Sequence, residues 1–486
     1  MGTLTTSQIE PRAALVAIAL MGAAAVLLLA GHVGAGALIF AAILGTAGLY
    51  AAVRWPLDAL FGLFVLLVPF DNLLNTGSFG TLTKLLGVVA GAFLLFWVVR
   101  RRHLSLASQP LQVLCALLVW MVASCLWAID QKAALQMVPT YAGLMLLYAV
   151  LTMVPISRSQ FRMLLLLIVI GGVCAAAYGA QLFYHDPSFA QQALTMRRLV
   201  IQVGAYHIDP NHFSDALLFP VAIVSMWALR AKRPITVMLS VAALALLVVA
   251  ILLSGSREGL TAIGVITVYY LWRSRHRFRL AAVVAVVLVA IGTVQTSVFL
   301  RFSTALQTGG SGRTSIWAVA VEAAKHRLLQ GYGIGNFTEA FDIYYLGVRQ
   351  PYPYGWDGPA HNLVLHYLVE LGIVGVLLIG CFFVAQFRSL RDIDANSEFY
   401  DYRIVMEASL VAILVVSMTI DLFQYKYAWL VFAMAALLRT AAAAQQSAAI
   451  RPARFAMMSA LSARLMTSSL PFSPSSRSAT LSSNEI

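Results

Sequence analysis

Two arginines and one histidine stand in short polar stretches that interrupt long apolar runs. The stretches read SGSREG (254–259) with Arg257, GGSGRT (309–314) with Arg313, and PAHN (359–362) with His361. Arginine presents a planar fork of N–H donors that matches phosphate oxygens, and a helix start adds aligned backbone donors. Histidine is the side chain best suited to taking a proton near neutral pH. Brought together, these groups would suit a reaction in which a hydroxyl attacks and a diphosphate leaves.

The same residues have simpler interpretations, and the sequence leaves both kinds open. An arginine at the end of an apolar helix, such as Arg257, can anchor that helix at the membrane surface while its aliphatic stem lies in lipid. Arg313 can be a solvated loop charge, and His361 can be a residue that only begins a helix. Arg301 carries no motif, so we expect it to tolerate replacement by lysine.

Two further polar features favour structural roles. The glycines of GYGIGNF (331–337) are spaced like those of a phosphate-binding loop. No strand is predicted before them, so a helix end followed by a tight turn is the better interpretation. His366 lies four residues from both Asn362 and Glu370, which predicts a packed partner on one helix face.

The elements that must position these residues are membrane helices. Of the 486 residues, 60% are hydrophobic and 11% are charged, whereas soluble domains have about 25% charged residues. Because roughly 20 apolar residues cross the hydrocarbon core, we identify candidate spans at 13–30, 33–53, 57–70, 82–99, 110–128, 135–154, 160–183, 211–229, 234–254, 258–272, 279–298, 363–385, 404–421 and 427–444. The sequence therefore predicts an all-α, polytopic helix bundle with about 12–14 transmembrane helices.

The charge pattern predicts the orientation. Basic residues cluster between spans, at 100–102, 230–233, 273–279 and 388–391. Cytoplasmic loops carry this bias, so both termini are predicted to be cytoplasmic, and the net charge of +13 does not indicate nucleic-acid binding. The polar stretches then share the outer side, where 299–362 is the large loop. Within it we expect Thr314 to cap a helix over 315–330 whose apolar side lies on the membrane surface.

The motifs, taken as a set, are SGSR (254–257), GRTSIW (312–317), GYGIGNF (331–337) and HNL with ELGIVG (361–375), preceded by WAID (127–130) and DPNHFS (209–214). This set resembles the O-antigen ligase/polymerase superfamily, bacterial inner-membrane enzymes that handle undecaprenyl-diphosphate-linked glycans. The resemblance is strongest over a core (235–385) that includes a periplasmic loop (299–362). Hydropathy predicts transmembrane helices before it (1–234) and after it (386–444), and a Ser/Ala-rich composition predicts a disordered cytoplasmic tail (445–486).

The resemblance also implies roles for individual residues. Arg257 and Arg313 match two arginines that the family uses near the lipid diphosphate, and His361 matches the histidine proposed to activate the acceptor hydroxyl. Outside these three matches, the residues expected to contact substrate are Arg197, Arg198, Asp209, Asn211 and Asn362, of which Arg197 and Arg198 lie in the other outer loop and stand in no motif. The family is regarded as metal-independent, so no metal site and no cofactor is expected. Asp209 and His212 are accordingly predicted to cap and pack a helix.

The implied activity is transfer of a glycan from undecaprenyl diphosphate to an acceptor sugar hydroxyl at the periplasmic face, in surface polysaccharide biosynthesis. The acceptor stays open: lipid A–core for a ligase, another lipid-linked repeat for a polymerase, or a protein side chain for an O-oligosaccharyltransferase. Expected partners are the donor, the acceptor, the bilayer and other membrane proteins of polysaccharide assembly. A small-solute or anion transporter is the rival class, weakened because no ionisable residue lies at mid-span.

Overall fold

The computed structural model describes residues 50–51, 54–73, 80–101, 105, 107–185, 197–203, 206–273, 284–285, 287–289, 292, 298–299, 301, 303, 313–348, 356 and 358–445. The predicted span 13–30, most of 33–53 and 279–298, the glycines at 309–312 and the tail from 446 lie outside these residues. The chain forms two compact units, Met1–Ala441 and Ala442–Ile486. All the sites described below belong to the first unit.

The described residues are mainly helical. In chain order the helices and strands are α1 (Gly62–Leu67), α2 (Leu82–Arg100), α3 (Gln109–Ser124), α4 (Gln131–Leu151), α5 (Arg158–His185), β1 (Ile201–Val203), β2 (Tyr206–Ile208), α6 (Pro210–Arg230), α7 (Pro234–Leu253), α8 (Arg257–Arg273), α9 (Arg313–His326), α10 (Phe337–Val348), α11 (Leu363–Arg391), α12 (Tyr400–Val416) and α13 (Lys426–Gln445). A π-helical turn, Leu57–Phe61, precedes α1, and a 3-10 helix, Val68–Leu73, follows it.

Seven of the described helices are long and apolar enough to cross a membrane, namely α2, α4, α5, α6, α7, α11 and α13, and α3 is a shorter apolar helix. The protein is therefore a polytopic, mainly α-helical membrane protein. Two predicted spans differ from the structure. Residues 57–70 form three short helical pieces of different type, since Pro69 lies in the segment and has no N–H to donate. The predicted span 404–421 ends as a helix at Val416.

Helix α6 lies at the centre of the bundle, packed against α5, α7, α8 and α12. Asp209 begins it by accepting a hydrogen bond from the Asn211 backbone N–H at 2.7 Å, and Pro210 occupies the first turn, where its missing N–H costs nothing. Almost every residue of α6 is buried. The polar residues at its N-terminus, Asp209 and Asn211, are therefore held in fixed positions.

The segment before α6 contains a β-hairpin that the sequence analysis did not predict. Strands β1 and β2 pair antiparallel, with Ile201 opposite Ile208. The backbone N–H of Leu199 donates to the carbonyl of Leu253 at 2.8 Å. This bond holds the segment against the end of α7, beside the SGSREG stretch.

Helices α9 and α10 follow each other in the chain, and their apolar faces pack on each other and on α11. Ile316, Ala320 and Ala323 of α9 are buried in one cluster with Phe337 and Phe341 of α10. The expectation that the apolar face of α9 lies on the membrane surface is therefore wrong, because protein covers it. The predicted bounds are also wrong: α9 begins at Arg313, so Thr314 is inside it, and it ends at His326.

A lysine joins the two ends of the described bundle. Lys426, the first residue of α13, contacts both carboxylate oxygens of Asp71 at 2.6 and 2.7 Å. Its ammonium also donates to the hydroxyls of Thr81 and Thr83 at 2.8 and 3.1 Å. These bonds tie the segment before α2 and the start of α2 to α13.

Candidate active site

The SGSREG stretch forms a tight, buried turn between α7 and α8. Gly255 has a φ of +65°, a backbone conformation that glycine adopts without penalty. The Ser254 hydroxyl accepts from the Ser256 N–H at 3.1 Å, and the Ser256 hydroxyl accepts from the Gly259 N–H at 3.2 Å. The serines thus satisfy the turn and the first turn of α8, which fixes Arg257 at the start of that helix.

Three arginines converge on this turn through backbone carbonyls. Arg198 Nε donates to the Ser254 carbonyl at 2.9 Å, and Arg301 Nη1 donates to the Gly255 carbonyl at 2.7 Å. Arg257 Nη1 donates to the carbonyl of Arg301 at 3.1 Å. Arg301, which stands in no sequence motif, therefore lies beside Arg257.

Arg313 joins the same region through Glu258. Its Nη1 lies 2.5 Å from Glu258 Oε1, and both side chains are largely shielded from solvent. Arg313 opens α9 and Glu258 lies in the first turn of α8, so this ion pair connects the two helix starts. We refer to Arg198, Arg257, Arg301 and Arg313 as the arginine cluster.

The arginine cluster holds like charges close together. Burial, assisted by the neighbouring charge of Arg301, lowers the pKa of Arg198 to about 10. Burial also lowers the pKa of Arg301, with Arg313 acting in the same direction. These guanidinium groups remain charged at neutral pH, so their mutual repulsion costs free energy. A bound anion would offset that cost.

The residues expected to contact substrate mostly support the cluster. Asn211 Oδ1 accepts from Arg198 Nη2 at 2.8 Å, and Asp209 caps α6. Arg197 is half-buried next to Arg198. His212 stacks on Tyr425 with ring centroids 4.0 Å apart and its Nδ1 lies 2.9 Å from the Tyr427 hydroxyl, so the predicted capping and packing roles are confirmed.

His361 combines an unusual backbone with an unpartnered ring atom. It is the non-glycine residue with positive φ, +51°, among the described residues, and its Nδ1 is buried without a hydrogen-bond partner in the described structure. Burial, assisted by the positive charge of Arg313, lowers the pKa of His361 to about 4. The imidazole is therefore neutral at pH 7, the form that accepts a proton, although its pKa lies below the near-neutral value that the sequence suggested.

Asn362 is used for structure. Its Oδ1 accepts from the Leu365 N–H at 3.0 Å and so begins α11. Its Nδ2 donates to the Met418 carbonyl at 3.0 Å. These bonds give the expected substrate-contacting residue a cap role and place His361 directly before the first turn of α11.

The glycines of 331–337 form a turn, as predicted, and it packs on a break in α11. Gly331, Gly333 and Gly335 have φ values of +71°, +98° and +73°, and Gly372 within α11 has +67°. The Gly333 N–H donates to the Glu370 carbonyl at 2.8 Å, and the Ile373 N–H donates to the Leu328 carbonyl at 2.8 Å. We call residues 328–336 with the break at 370–373 the glycine seam.

The loop 127–130 completes the glycine seam from the other side. Asn336 Oδ1 accepts from the Asp130 N–H at 2.6 Å, and its Nδ2 donates to the Asp130 carbonyl at 3.1 Å. The Ile129 N–H donates to the Tyr332 carbonyl at 3.3 Å. The WAID and GYGIGNF motifs are therefore one structural unit that holds the α9–α10 connection against α11.

His366 is buried one turn inside α11, as predicted. Its Nε2 lies 3.4 Å from Glu370 Oε1 and 3.5 Å from Asp421 Oδ2, and its ring stacks on Phe337 at 5.2 Å. Burial raises the pKa of Asp421 to about 7. Among the described residues, no group of three or more His, Cys, Asp or Glu side chains is placed to hold a metal ion.

Comparison with known proteins gives one family. Residues 217–380 match the family model described as O-antigen ligase. The matched range includes the turn at 254–259, Arg301, Arg313, the glycine seam from 328 and His361. A search of the curated proteins gives no match.

Proposed function

We propose that this chain, whose residues 217–380 match the O-antigen ligase family model, transfers a glycan from undecaprenyl diphosphate to a sugar hydroxyl. His361 takes the proton of the acceptor hydroxyl, whose oxygen forms a bond to the anomeric carbon. The bond from that carbon to the diphosphate oxygen breaks, and the electron pair leaves with the diphosphate. Arg257 and Arg313 stabilise the charge that develops there.

The arginine cluster is the observation that carries this proposal. Four guanidinium groups come from the hairpin segment before α6, the start of α8, the segment at 301 and the start of α9. Two of them, Arg198 and Arg301, donate to carbonyls of the turn at 254–256, and Arg257 donates to the carbonyl of Arg301. Each guanidinium has five N–H donors, and the bonds described above use one or two of them. The remaining donors suit a ligand with several anionic oxygens, which a diphosphate is.

The neighbouring His361 favours a catalytic site over a site that only binds an anion. Arg313 and Glu258 act electrostatically on His361, so the base and the arginine cluster share one region. A low pKa keeps the imidazole unprotonated beside cations, and its Nδ1 has no partner in the described structure. A proton acceptor next to an anion site is the pair of functions that glycosyl transfer from a diphosphate requires.

The charge of the helix ends supports a periplasmic site in the inner membrane. Helices α6, α8 and α11 each begin near the arginine cluster and end at an arginine, namely Arg230, Arg273 and Arg391. Basic residues favour the cytoplasmic side. The cluster would then face the periplasm, where the lipid-linked donor is presented in this family. A reporter enzyme that is active only in the periplasm tests this orientation. We expect it to be active when fused at Ser256 and inactive when fused at Ser274.

The acceptor is lipid A–core if the protein is a ligase, and another lipid-linked repeat if it is a polymerase; we favour the ligase. The surface polysaccharide of a deletion strain distinguishes them. Deletion of a ligase leaves the core without polymer, whereas deletion of a polymerase leaves single repeats on the core. Loss of glycan from a surface protein would indicate an O-oligosaccharyltransferase.

Purified protein in liposomes tests the class of activity. We expect it to consume undecaprenyl-diphosphate-linked glycan extracted from the deletion strain and to release undecaprenyl diphosphate when the acceptor is added. Solute uptake that does not depend on the glycan, together with an unchanged surface polysaccharide in the deletion strain, would contradict the proposal and favour a transporter.

A further inference from the structure

The backbone of Ala360, directly before His361, is held at both of its polar atoms. Trp317 Nε1 donates to the Ala360 carbonyl at 2.9 Å. The Ala360 N–H points to His366 Nδ1 at 3.5 Å. Trp317 lies one turn after Arg313 on α9, so this contact links the peptide before His361 to the helix that also carries an arginine of the cluster.

The backbone after His361 is held as well. Asn362 Nδ2 donates to the Met418 carbonyl at 3.0 Å, and the Leu363 N–H donates to the Ser417 carbonyl at 2.8 Å. His361 stands between these two fixed peptides with a φ of +51°. Such a conformation is strained for a non-glycine residue, and it persists only when its surroundings over-determine it.

The contacts of His366 select the tautomer that can hold Ala360. Its Nε2 lies between the carboxylate oxygens of Glu370 and Asp421, at 3.4 and 3.5 Å. Neither contact is a hydrogen bond, and Asp421 Oδ2 has no hydrogen-bond partner in the described structure, but the acidic pair favours the proton on Nε2 electrostatically. Nδ1 is then the acceptor that the Ala360 N–H requires. The buried acidic pair thus acts on Ala360 through His366.

We propose that Trp317 and His366 are positioning residues for His361, which fix the peptide of Ala360 so that the His361 ring faces the arginine cluster. This inference rests on the proposed role of His361 as the base. Neither residue touches the reacting atoms. Their contribution is geometric, because a displacement of about 1 Å in a catalytic group can lower the rate by roughly a hundredfold.

A matched pair of tryptophans tests Trp317. Trp317→Phe removes one indole N–H and keeps an aromatic ring at the site. Trp120→Phe removes the same kind of bond, since Trp120 Nε1 donates at 2.9 Å to the carbonyl of Leu371, also in the region of α11 but away from His361. We expect Trp317→Phe to lower kcat by about ten- to a hundredfold, with the KM for the lipid-linked glycan unchanged. Trp120→Phe should retain kcat.

A second pair tests His366. In His366→Asn the side-chain oxygen can occupy the place of Nδ1 and still accept from Ala360, whereas His366→Phe keeps a ring without an acceptor. We expect Asn to retain most of kcat at equal protein level and Phe to lose it. This rescue does not depend on the packing of the ring, so it separates positioning from stability.

The rate–pH profile gives an independent readout. Because burial lowers the pKa of His361 to about 4, the wild-type rate should fall only when the pH drops through about 4. If Trp317→Phe releases the ring towards water, the acid limb should move up towards the ordinary histidine value of 6.5. A purely structural defect would lower the rate by the same factor at every pH. Undecaprenyl diphosphate should bind the variant as tightly as the wild type.

The outcomes separate this inference from the proposed function. Equal kcat for Trp317→Phe and Trp120→Phe, with an unmoved acid limb and an inactive His361→Ala, would overturn the positioning role and leave the base assignment intact. An active His361→Ala would remove the base assignment itself. Equal loss for His366→Asn and His366→Phe would exclude the acceptor role of Nδ1.

Discussion

The arginine cluster and the glycine seam are both polar regions at helix ends, and they are built in opposite ways. In the glycine seam, donors and acceptors are matched: Asn336 bonds Asp130 in both directions, and the turn and the broken helix exchange backbone bonds. In and around the arginine cluster, like charges are neighbours, and His361 Nδ1 and both carboxylate oxygens of Asp215 are buried without partners in the described structure.

The difference indicates which region is made for stability and which for binding. A matched network lowers the free energy of the folded state and has nothing left to offer a ligand. Unpartnered buried atoms and adjacent cations raise that free energy, and a ligand with the complementary charge can recover it. Substitutions in the seam should therefore reduce folded protein, whereas substitutions in the cluster should reduce activity per molecule.

The largest effect is expected at His361. His361→Ala removes the proton acceptor and should lower glycan transfer by about 10²–10⁴-fold, the usual contribution of a general base. Protein level in the membrane should stay near wild type. Turnover is measured with purified protein, and level by immunoblot. His326→Ala, at an exposed histidine of α9, is the control that should remain active; near-normal turnover in His361→Ala would contradict the base assignment.

The next effect separates phosphate binding from membrane anchoring. Lysine can anchor a helix as arginine does, but it cannot present a planar fork. Arg257→Lys and Arg313→Lys should each lower transfer by roughly a hundred- to a thousandfold while accumulating normally. Arg327→Lys is the control, because Arg327 is exposed and lies outside the arginine cluster, where it packs on Tyr332 of the glycine seam. Full transfer by both cluster variants would favour the anchor interpretation.

The seam should respond in protein level. In Gly372→Ala the new methyl group would overlap the Leu329 carbonyl, and φ would remain at +67°. Strain and overpacking together cost about 2–6 kcal/mol, so we expect several-fold less folded protein, with near-normal turnover in what remains. Gly380→Ala, in the same helix with open space around its Cα, should accumulate normally. Equal levels for the two variants would show that the break in α11 is not needed for folding.

The smallest effect is expected in the transfer rate between pH 5 and 7, which should depend little on pH. Because the pKa of His361 is lowered to about 4, the base is already neutral at pH 5, and the rate should change little from pH 5 to 7. Below about pH 4 the imidazole is protonated and transfer should stop. A titration of kcat over this range measures it. A midpoint near 6.5 would mean that His361 faces water and does not belong with the cluster.

Local patterns predict the residues that we propose as central to the candidate site, and their roles stay predictions. Arg257, Arg313 and His361 each stand in a short polar motif, and polar motifs between apolar spans are visible in sequence. Arg301 has no such motif, since its partners Gly255 and Arg257 are 46 and 44 residues away in the chain. The ion pair between Arg313 and Glu258 is equally non-local, so only the fold shows that these residues meet.

Helix bounds show the same limit. Apolar spacing predicted that α9 continues to Gln330, yet it ends at His326. The carbonyls of Leu328 and Gln330 instead accept hydrogen bonds from the Ile373 N–H and from Trp127 Nε1 at 2.8 and 3.2 Å. Tertiary partners therefore outweigh the local preference for helix. The seven long apolar helices, by contrast, each coincide with a span predicted from hydropathy, because the bilayer requires long apolar helices.

The bond between Lys426 and Asp71 sets a condition on how the protein is made. The two residues are 355 positions apart, so a ribosome adding 5–20 residues per second delivers the lysine roughly 20–70 s after the aspartate. Throughout that interval the carboxylate and the two threonine hydroxyls at the start of α2 lack their cationic partner. The early helices are therefore in the membrane without this contact until α13 is synthesised, and the contact forms only after α13 is inserted.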